Sequence, residues 1–372
     1  MHDTRDTPMQ SIQDLDTSGA RATETFVHGG TRYLVIPQLA VDVPGQPAMI
    51  TVGDSDVDAL VYRWQGQGFV PHARLPVPGG EDAEFFEIDG RAFLATASLK
   101  SGTGPYELNV HSTIFELKDG AFTEFQRVPT FAAKQWKHFA IGERHFLALA
   151  QGVTMEGSAP RHPSKSAIYE WNGERFAEFQ QVESAWGYNF AFFEVGGQCF
   201  LAYADHVAPS RILRWNGQRF EDFQLLDGKT GRAFQFFEAE GHAWLAFACL
   251  HDNTVLLRWD GSRFVAHQTL SGPGGREFAW HEDANGGELI QVNFLLGSRE
   301  APITALTSVG YRFINGRLMP QREFPTFGGT DACVFDEGGQ RYLVVANSLG
   351  ADIRFRTPSK VYRLEGATGA RP

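Results

Sequence analysis

The amino-acid sequence predicts an all-β fold, a seven-bladed β-propeller whose blades are four-stranded antiparallel sheets. A short aromatic motif that ends in a glycine turn recurs seven times along the chain. Its anchor residues lie 44 to 54 positions apart, and they are Trp64, Leu117, Trp171, Trp215, Trp259, Phe313 and Leu364. A core position shared by every repeat is the simplest explanation of the 31 Phe residues. A period of about 40–50 residues with four strands per unit is typical of propellers.

Each repeat divides into two predicted hairpins. The clearest second hairpin begins with Ile-Tyr-Glu-Trp-Asn-Gly at residues 168–173 and ends at residue 180; we name its strands C and D. Asn-Gly and Asp-Gly pairs favour the two-residue type I′ turn, so a tight hairpin is expected. A first hairpin, strands A and B, precedes it, as at residues 192–201. The A–B and C–D turns are short in every repeat, whereas the B–C connection varies in length.

The two ends of the repeat array complement each other. The last copy stops after Gly366 and lacks strand D, while residues 9–15 match strand D of the second repeat at residues 122–128. We therefore predict that the N-terminal strand completes the last blade, because an open ring would expose sheet edges. An open solenoid is the alternative. The predicted organisation is a disordered tail at 1–8, one propeller domain at 9–367 and a C-terminal tail at 368–372.

Composition narrows the partners and the location. The formal net charge is −11 and no Lys/Arg-rich run occurs, so nucleic acid and membrane are not expected as partners. The N-terminal residues contain no apolar signal-peptide core, and no stretch approaches the ~18 apolar residues of a spanning helix. Cys199, Cys249 and Cys333 are an odd, widely spaced set that indicates buried free thiols. We expect a cytoplasmic protein.

The repeat resembles a known family. The units Phe-x-x-Phe-Gln, Phe-Phe-x-Val-Gly-Gly, Phe-Leu-Ala-x-Ala and Ile-Tyr-x-Trp-Asn-Gly are similar to the epilepsy-associated repeat, also called the EAR or EPTP repeat. The resemblance covers residues 9–367, and residues 342–348 match strand B closely. It implies a seven-bladed propeller and a protein-recognition role known from extracellular signalling proteins. This chain shows no signal peptide, leucine-rich repeat or glycosylation sequon, so we expect a free-standing, bacterial-type member.

Strand order predicts which face of the propeller carries function. The D–A and B–C connections share one face, and functional residues on propellers concentrate where connections are long. Two short B–C connections, at residues 205–210 and 250–253, lie in adjacent blades and should leave a notch in the rim of long loops. A groove that enters the central channel at this notch is the expected site.

Candidate catalytic residues lie in these connections. His206 and His251 fall in the two short ones and could include a general base, whereas Arg354 could anchor a carboxylate or phosphate. The alternative is that they are ordinary surface residues. Trp186 and Tyr188 flank a D–A turn on the same face and could serve as a binding hot spot or as packed aromatics.

Carboxylates predict a metal site near the channel axis. Asp82 and Asp331 follow glycine pairs at the entry to strand A, and Glu24 and Glu84 lie deeper in the aligned repeats. Oxygen ligands gathered there would suit a divalent cation such as calcium. The alternative is neutralisation by basic residues on other blades, which are Lys134, Lys137, Arg232 and Arg276. No cofactor is required for the fold.

Two functional hypotheses follow. The first is a recognition propeller that binds a protein, peptide or small molecule on its B–C face and channel mouth. The alternative is a cytoplasmic enzyme, a lyase, cyclase or hydrolase of small-molecule or natural-product metabolism, that uses acidic and histidine residues at the mouth. The chain contains no Gly-x-Ser-x-Gly, His-Glu-x-x-His or Cys-x-x-Cys motif, and the fold alone does not decide between the hypotheses.

Overall fold

The computed structural model describes residues 9–152, 154–156, 159–161, 165–228, 230–283 and 286–364. Seven four-stranded antiparallel sheets form the blades of a β-propeller, as the sequence predicts. We number the blades along the chain, beginning with the one whose strand A is Glu24–His28. None of the described segments forms a helix of the length and apolarity needed to cross a membrane.

Strand A lies innermost in each blade and strand D lies outermost. From blade 1 to blade 7, the A strands are Glu24–His28, Gly80–Ile88, Ala133–Ile141, Gly187–Val195, Gly231–Ala239, Gly275–Asp283 and Gly329–Glu337. The B strands are Thr31–Ile36, Arg91–Ser98, Arg144–Gln151, Gln198–Asp205, His242–Cys249, Gly286–Asn293 and Gln340–Asn347.

The outer half of each blade is a second hairpin. The C strands are Asp58–Gln65, Asn109–Lys118, Lys165–Trp171, Arg211–Trp215, Thr254–Trp259, Ala305–Ile314 and Ser359–Leu364. The D strands are Gly68–Pro76, Ala121–Phe131, Phe176–Glu183, Phe220–Leu225, Phe264–Ser271, Arg317–Phe327 and, for blade 7, Met9–Leu15. Two small hairpins stand in B–C connections, one formed by Thr154–Glu156 with Ala159–Arg161 and one by Leu296–Gly297 with Pro302–Ile303.

The N-terminal strand closes the ring. Met9–Leu15 pairs antiparallel with strand C of blade 7, with Met9 opposite Leu364 and Leu15 opposite Ser359. Leu15 is only 2% exposed and belongs to a core cluster shared by blades 7 and 1. The prediction that the N-terminal strand completes the last blade is confirmed. The predicted tails, residues 1–8 and 368–372, lie outside the described residues.

A glutamine joins neighbouring blades at the outer strand. The Gln180 side chain accepts a hydrogen bond from the N–H of Phe220 (2.9 Å) and donates one to its carbonyl oxygen (2.7 Å). The same two bonds join Gln13, Gln126, Gln224 and Gln268 to the next blade. The Phe-x-x-Phe-Gln unit therefore combines aromatic core residues with a glutamine amide that satisfies the backbone N–H and C=O of one residue in the next blade.

The turns differ in part from the sequence expectation. Asp119-Gly120 has positive φ at both residues, 53° and 77°, which is the type I′ geometry. In blades 3, 4 and 5, however, the C–D turn spans four residues, as at 172–175. There the Asn172 side chain accepts the N–H groups of Glu174 and Arg175, so its Asn-Gly pair does not form a two-residue turn. The three cysteines are free, but only Cys249 is buried; Cys199 and Cys333 are half-buried.

Candidate functional site

The face formed by the B–C and D–A connections carries the long loops. Between strands B and C lie residues 37–57, 99–108, 294–304 and 348–358 in blades 1, 2, 6 and 7, but only 206–210 and 250–253 in blades 4 and 5. The predicted pair of short connections in adjacent blades is therefore present. The central channel below them holds a cavity of about 340 Å³ that strand A residues line.

A left-handed turn leads from the rim into the channel. In blade 2, Gly79 has φ +53°, and a Cβ there would lie 2.3 Å from the carbonyl oxygen of Lys100, so only glycine fits. Its own carbonyl accepts the N–H of Leu99 at 2.8 Å, which ties the D–A turn to the B–C connection. The second residue of strand A follows and points its side chain at the channel mouth, as Glu81 does.

Cationic side chains dominate the channel mouth. We call Arg21, Lys100, Lys134, Arg232 and Arg276 the mouth cations. All five are at most 7% exposed. Glu81 is the carboxylate that they enclose: Arg21 donates to both of its oxygens at 3.0 Å, and Lys134 donates at 3.1 Å. Burial disfavours the charge of Glu81, but Arg21, Lys134 and Arg276 outweigh it and lower its pKa to about 2.

Tyr188 lies among the same cations. The Arg232 guanidinium is 3.9 Å from the centroid of its ring, and Lys134 and Arg276 are 5.1 and 5.4 Å from it. Burial opposes ionisation of the phenol, yet the three cations lower the pKa of Tyr188 to about 8. Burial, with Arg276 and Arg21 nearby, lowers the pKa of Arg232 to about 10.

An apolar cluster packs beside the mouth on the side of blades 6, 7, 1 and 2. Its buried members are Leu39, Ala40, Leu349 and Phe355, with Ile50, Leu99 and Phe294 packed against them. The Arg21 guanidinium stacks on Phe294 at 5.5 Å. Lys100 lies beside Leu99, and its ammonium is 3.5 Å from the ring of Tyr106; burial lowers the pKa of Lys100 to about 8.

A second layer of charge, deeper in the channel, is acidic. We call Glu24, Asp82, Glu84, Glu277 and Asp331 the lower carboxylates. Burial raises the pKa of Asp331 to about 6 and those of Glu24, Asp82 and Glu277 well above their usual range. Neighbouring carboxylates add to the shift in the last three. The channel charges are thus segregated into a cationic mouth and an acidic lower layer.

Most lower carboxylates accept backbone hydrogen bonds from the next blade. Strand A pairs with strand B only, so N–H groups on its channel side need other acceptors. Asp82 accepts the N–H of Trp136 at 2.8 Å, and Asp331 accepts the N–H of Thr23 at 2.6 Å. In blade 3, Gln135 accepts the N–H of Phe190 at 2.6 Å from the equivalent position. This position therefore requires an acceptor, and an amide serves as well as a carboxylate.

The predicted metal ligands occupy these positions. Glu24 accepts the N–H of Phe85 at 2.9 Å, and Glu84 accepts the N–H of His138 at 2.9 Å and pairs with Lys137 at 2.9 Å. Across the described part of the chain, no group of three or more His, Cys, Asp or Glu side chains is arranged to hold a metal ion. The calcium site stays a prediction. Of the proposed neutralising residues, Lys134 and Lys137 pair directly with Glu81 and Glu84.

The predicted catalytic residues separate into two places. His206 and His251 approach each other with ring centroids 6.1 Å apart, and Nδ1 of His206 accepts a hydrogen bond from Arg232 at 2.7 Å. Burial, followed by Arg232, lowers the pKa of His251. Arg354 lies instead among the blade 7 and blade 1 loops, where it donates to the carbonyl of Gln46 at 3.1 Å. The catalytic assignment stays a prediction.

Sequence reasoning missed part of the mouth. Arg21, Lys100 and Glu277 had no predicted role. The position equivalent to Glu81 holds a different kind of residue from blade to blade, and from blade 1 to blade 7 these residues are Arg21, Glu81, Lys134, Tyr188, Arg232, Arg276 and Thr330. Residues on the same ring are more than 40 positions apart in most cases, so only the closed ring brings them together. The available signal was the charged residue that occupies this position in five of the seven blades.

Apolar side chains on the rim form a second feature of this face. The described residues include nine exposed large hydrophobic side chains. Five of them lie in B–C connections, and they are Val41, Met49, Val207, Leu296 and Ile303. The loop-rich face thus combines exposed apolar side chains with a buried cationic mouth.

These features define a β-propeller whose channel mouth opens among long loops. Residues 68–116, 121–172 and 175–216 match the EPTP domain model, so these repeats are EPTP (EAR) repeats. Over 199 residues, 53% of this chain, it is 30% identical to the human thrombospondin-type laminin G domain and EAR repeat-containing protein. Over 143 residues, 38% of this chain, it is 29% identical to leucine-rich repeat LGI family member 3 of Macaca fascicularis.

These relatives are longer proteins. The matched stretch covers 27% of the human protein and 23% of the macaque protein, so the chain spans about a quarter of their length. Both come from mammals and lend no support to the bacterial-type protein expected from the sequence. A chain of the crystal structure of BBS1N in complex with ARL6DN has a TM-score of 0.60 and 11% identity, and the match covers 99% of this chain and 100% of that one. This likeness supports the fold alone.

Proposed function

We propose that this propeller is a protein-recognition module that binds its partner on the face of the B–C connections. The observation that carries the proposal is the distribution of exposed apolar side chains, since five of the nine in the described residues lie in those connections. Exposed apolar side chains that collect on one face favour a protein contact, whereas single scattered ones need no explanation.

The hairpin Leu296–Gly297 and Pro302–Ile303 is the most prominent apolar element of the rim. Leu296 is 36% exposed and Ile303 is 54% exposed, and the two residues are directly paired across the hairpin. Two adjacent apolar side chains on a short, hydrogen-bonded hairpin form a preorganised anchor, which lowers the entropic cost of binding. The family resemblance, which implies protein recognition, points in the same direction.

A matched pair of variants tests the proposal. The rim variant is Leu296→Ser with Ile303→Ser, and the control is Ile314→Ser with Met319→Ser, whose side chains are 48% and 47% exposed away from the B–C connections. Immobilised wild type and both variants would be exposed to proteins of the source organism. A protein retained by wild type and control but not by the rim variant is then purified.

Calorimetry with the purified partner should show at least about tenfold weaker binding for the rim variant, which is about 1.4 kcal/mol. The control should bind like the wild type. The proposal fails if the rim variant binds every retained protein as tightly as the wild type, or if only the control variant loses binding.

A further inference from the structure

We propose that the channel mouth binds a small, multiply charged oxyanion, such as phosphate, sulfate or a tricarboxylate, between Arg232, Arg276 and Tyr188. This site is separate from the apolar rim and does not depend on the protein-recognition role. Arginine guanidinium groups and phenolic hydroxyl groups suit an oxyanion, because their N–H and O–H groups donate hydrogen bonds to the oxygens of the anion.

Positive charge is in excess at the mouth. Five buried cations lie at its level together with one carboxylate, Glu81, although the whole chain carries a formal net charge of −11. Burying like charges together is costly unless a counter-charge completes the site. The lower carboxylates lie deeper along the channel, and burial together with neighbouring carboxylates raises the pKa values of Glu24, Asp82 and Glu277, which weakens them as counter-charges.

Arg276 and Arg232 retain hydrogen-bonding capacity. Arg276 is 6% exposed, yet its guanidinium approaches Glu81 and Glu277 only to 3.9 Å, beyond hydrogen-bond distance. Arg232 donates through one nitrogen, Nη1, to His206 and to the carbonyl of Gly231. Both guanidiniums lie against the ring of Tyr188, and Arg276 and Tyr188 line the channel cavity.

The channel offers room for an anion and a route to it. The channel cavity of about 340 Å³ holds roughly ten waters at about 30 Å³ each, which is enough for a small anion with its hydration partners. Tyr188 and His206 are half-buried and lie beside the short connections of blades 4 and 5. The apolar cluster lies on the opposite side, so the short connections provide the entrance.

The charged residues at and below the mouth determine how deep in the channel the anion binds. Below the mouth, Glu277 and Asp331 would repel an anion, and Lys137 is already paired with Glu84. At the level of the mouth, burial and like charges lower the pKa of Lys100 and of Arg232, and the negative charge of a bound anion would stabilise both cations. The oxyanion is therefore held at the mouth and not deeper in the channel.

Calorimetric titration of the full chain with inorganic phosphate, sulfate and citrate, each in a chloride buffer, tests the proposal. At least one should bind with one-to-one stoichiometry. Arg276→Gln should weaken that binding at least about tenfold. Arg214→Gln is the control, because Arg214 is exposed on strand C of blade 4 and should leave binding unchanged.

The phenol of Tyr188 gives a second readout that does not require the arginine variant to fold. Absorbance of the phenolate in wild type minus Tyr188→Phe should titrate near pH 8, and a saturating anion should shift this titration to higher pH because it stabilises the protonated phenol. The proposal is overturned if none of the three anions binds at tens of millimolar, or if binding leaves both the phenol titration and the Arg276→Gln affinity unchanged.

Discussion

Replacing Leu15 with alanine tests whether the N-terminal strand is part of the ring. Leu15 is 2% exposed and packs in a cluster that includes Leu34 and Leu60 of blade 1 and Val344 and Val361 of blade 7. Truncation of a buried leucine costs about 2–5 kcal/mol through lost burial and the cavity left behind. We expect about 3 kcal/mol here, since strand pairing on one side limits how far the cluster can collapse.

Urea unfolding followed by tryptophan fluorescence measures this change. With a slope of about 3 kcal/mol per molar urea, a loss of about 3 kcal/mol moves the midpoint down by about 1 M. Leu225→Ala is the matched control, because Leu225 also lies in a D strand but is 63% exposed. It should change stability by less than about 0.5 kcal/mol.

The closure model would be wrong if Leu15→Ala were as neutral as Leu225→Ala, because a leucine in a detached N-terminal segment would contribute nothing to unfolding. Deleting residues 1–15 extends the test. That deletion removes strand D of blade 7 together with both hydrogen bonds between Gln13 and Phe69, so it should lower the melting temperature of the whole ring.

Two further predictions concern the channel. Because the pKa of Asp331 is raised from 3.8 to about 6, the folded wild type loses stability as pH rises through that window. Asp331→Asn keeps an acceptor for Thr23 and should be more stable than wild type by about 2–3 kcal/mol at pH 7.5 but not near pH 4, as measured by urea unfolding at both pH values. If a divalent cation binds to the lower carboxylates, millimolar calcium should raise the melting temperature of chelator-treated protein. Asp331→Asn should reduce that rise. An unchanged melting temperature with calcium would count against the metal site.

The fold could be predicted from the sequence because the repeat marks equivalent positions in every blade. Leu15, Val128 and Val182 occupy one repeat position and are all buried, so the matching of residues 9–15 to a D strand identified the closing strand before any contact was known. Periodic apolar residues report directly on the core because each blade packs against identical neighbours. The predicted two-residue turn was wrong in blades 3 to 5, because the side chains of Asn172 and its equivalents accept backbone N–H groups within a four-residue turn.

One interface between blades departs from the periodic core. His281 and Glu288 of blade 6 stand where the other six blades carry Phe or another aromatic residue in strands A and B. Glu288 has no exposed side-chain area and pairs with Arg312 at 3.3 Å and Arg322 at 2.6 Å. An arginine replaces the bridging glutamine in this blade, so an ionic network takes over a contact that is aromatic elsewhere. The repeat pattern predicts where this interface lies, but not that its contacts are ionic.

The site was harder to predict than the fold for a related physical reason. Core positions are constrained in the same way in every blade, whereas channel positions face a common axis and are constrained by one another. One channel feature is shared between blades: Asp82, Gln135 and Asn189 lie at equivalent positions, and each accepts a backbone N–H from the next blade. Charge at the mouth follows no repeat and emerges only when the ring closes.

The energetics of the two regions also differ. Aromatic packing and the glutamine bridges stabilise most blade pairs at positions away from the mouth cations. Five buried cations at the level of one carboxylate oppose folding, because burying like charges together is costly. A costly arrangement that the fold does not need is expected at a binding site and not in a scaffold. Arg276→Gln should therefore leave thermal stability unchanged or raise it while it weakens anion binding, and a loss of stability in that variant would instead assign the cations a structural role.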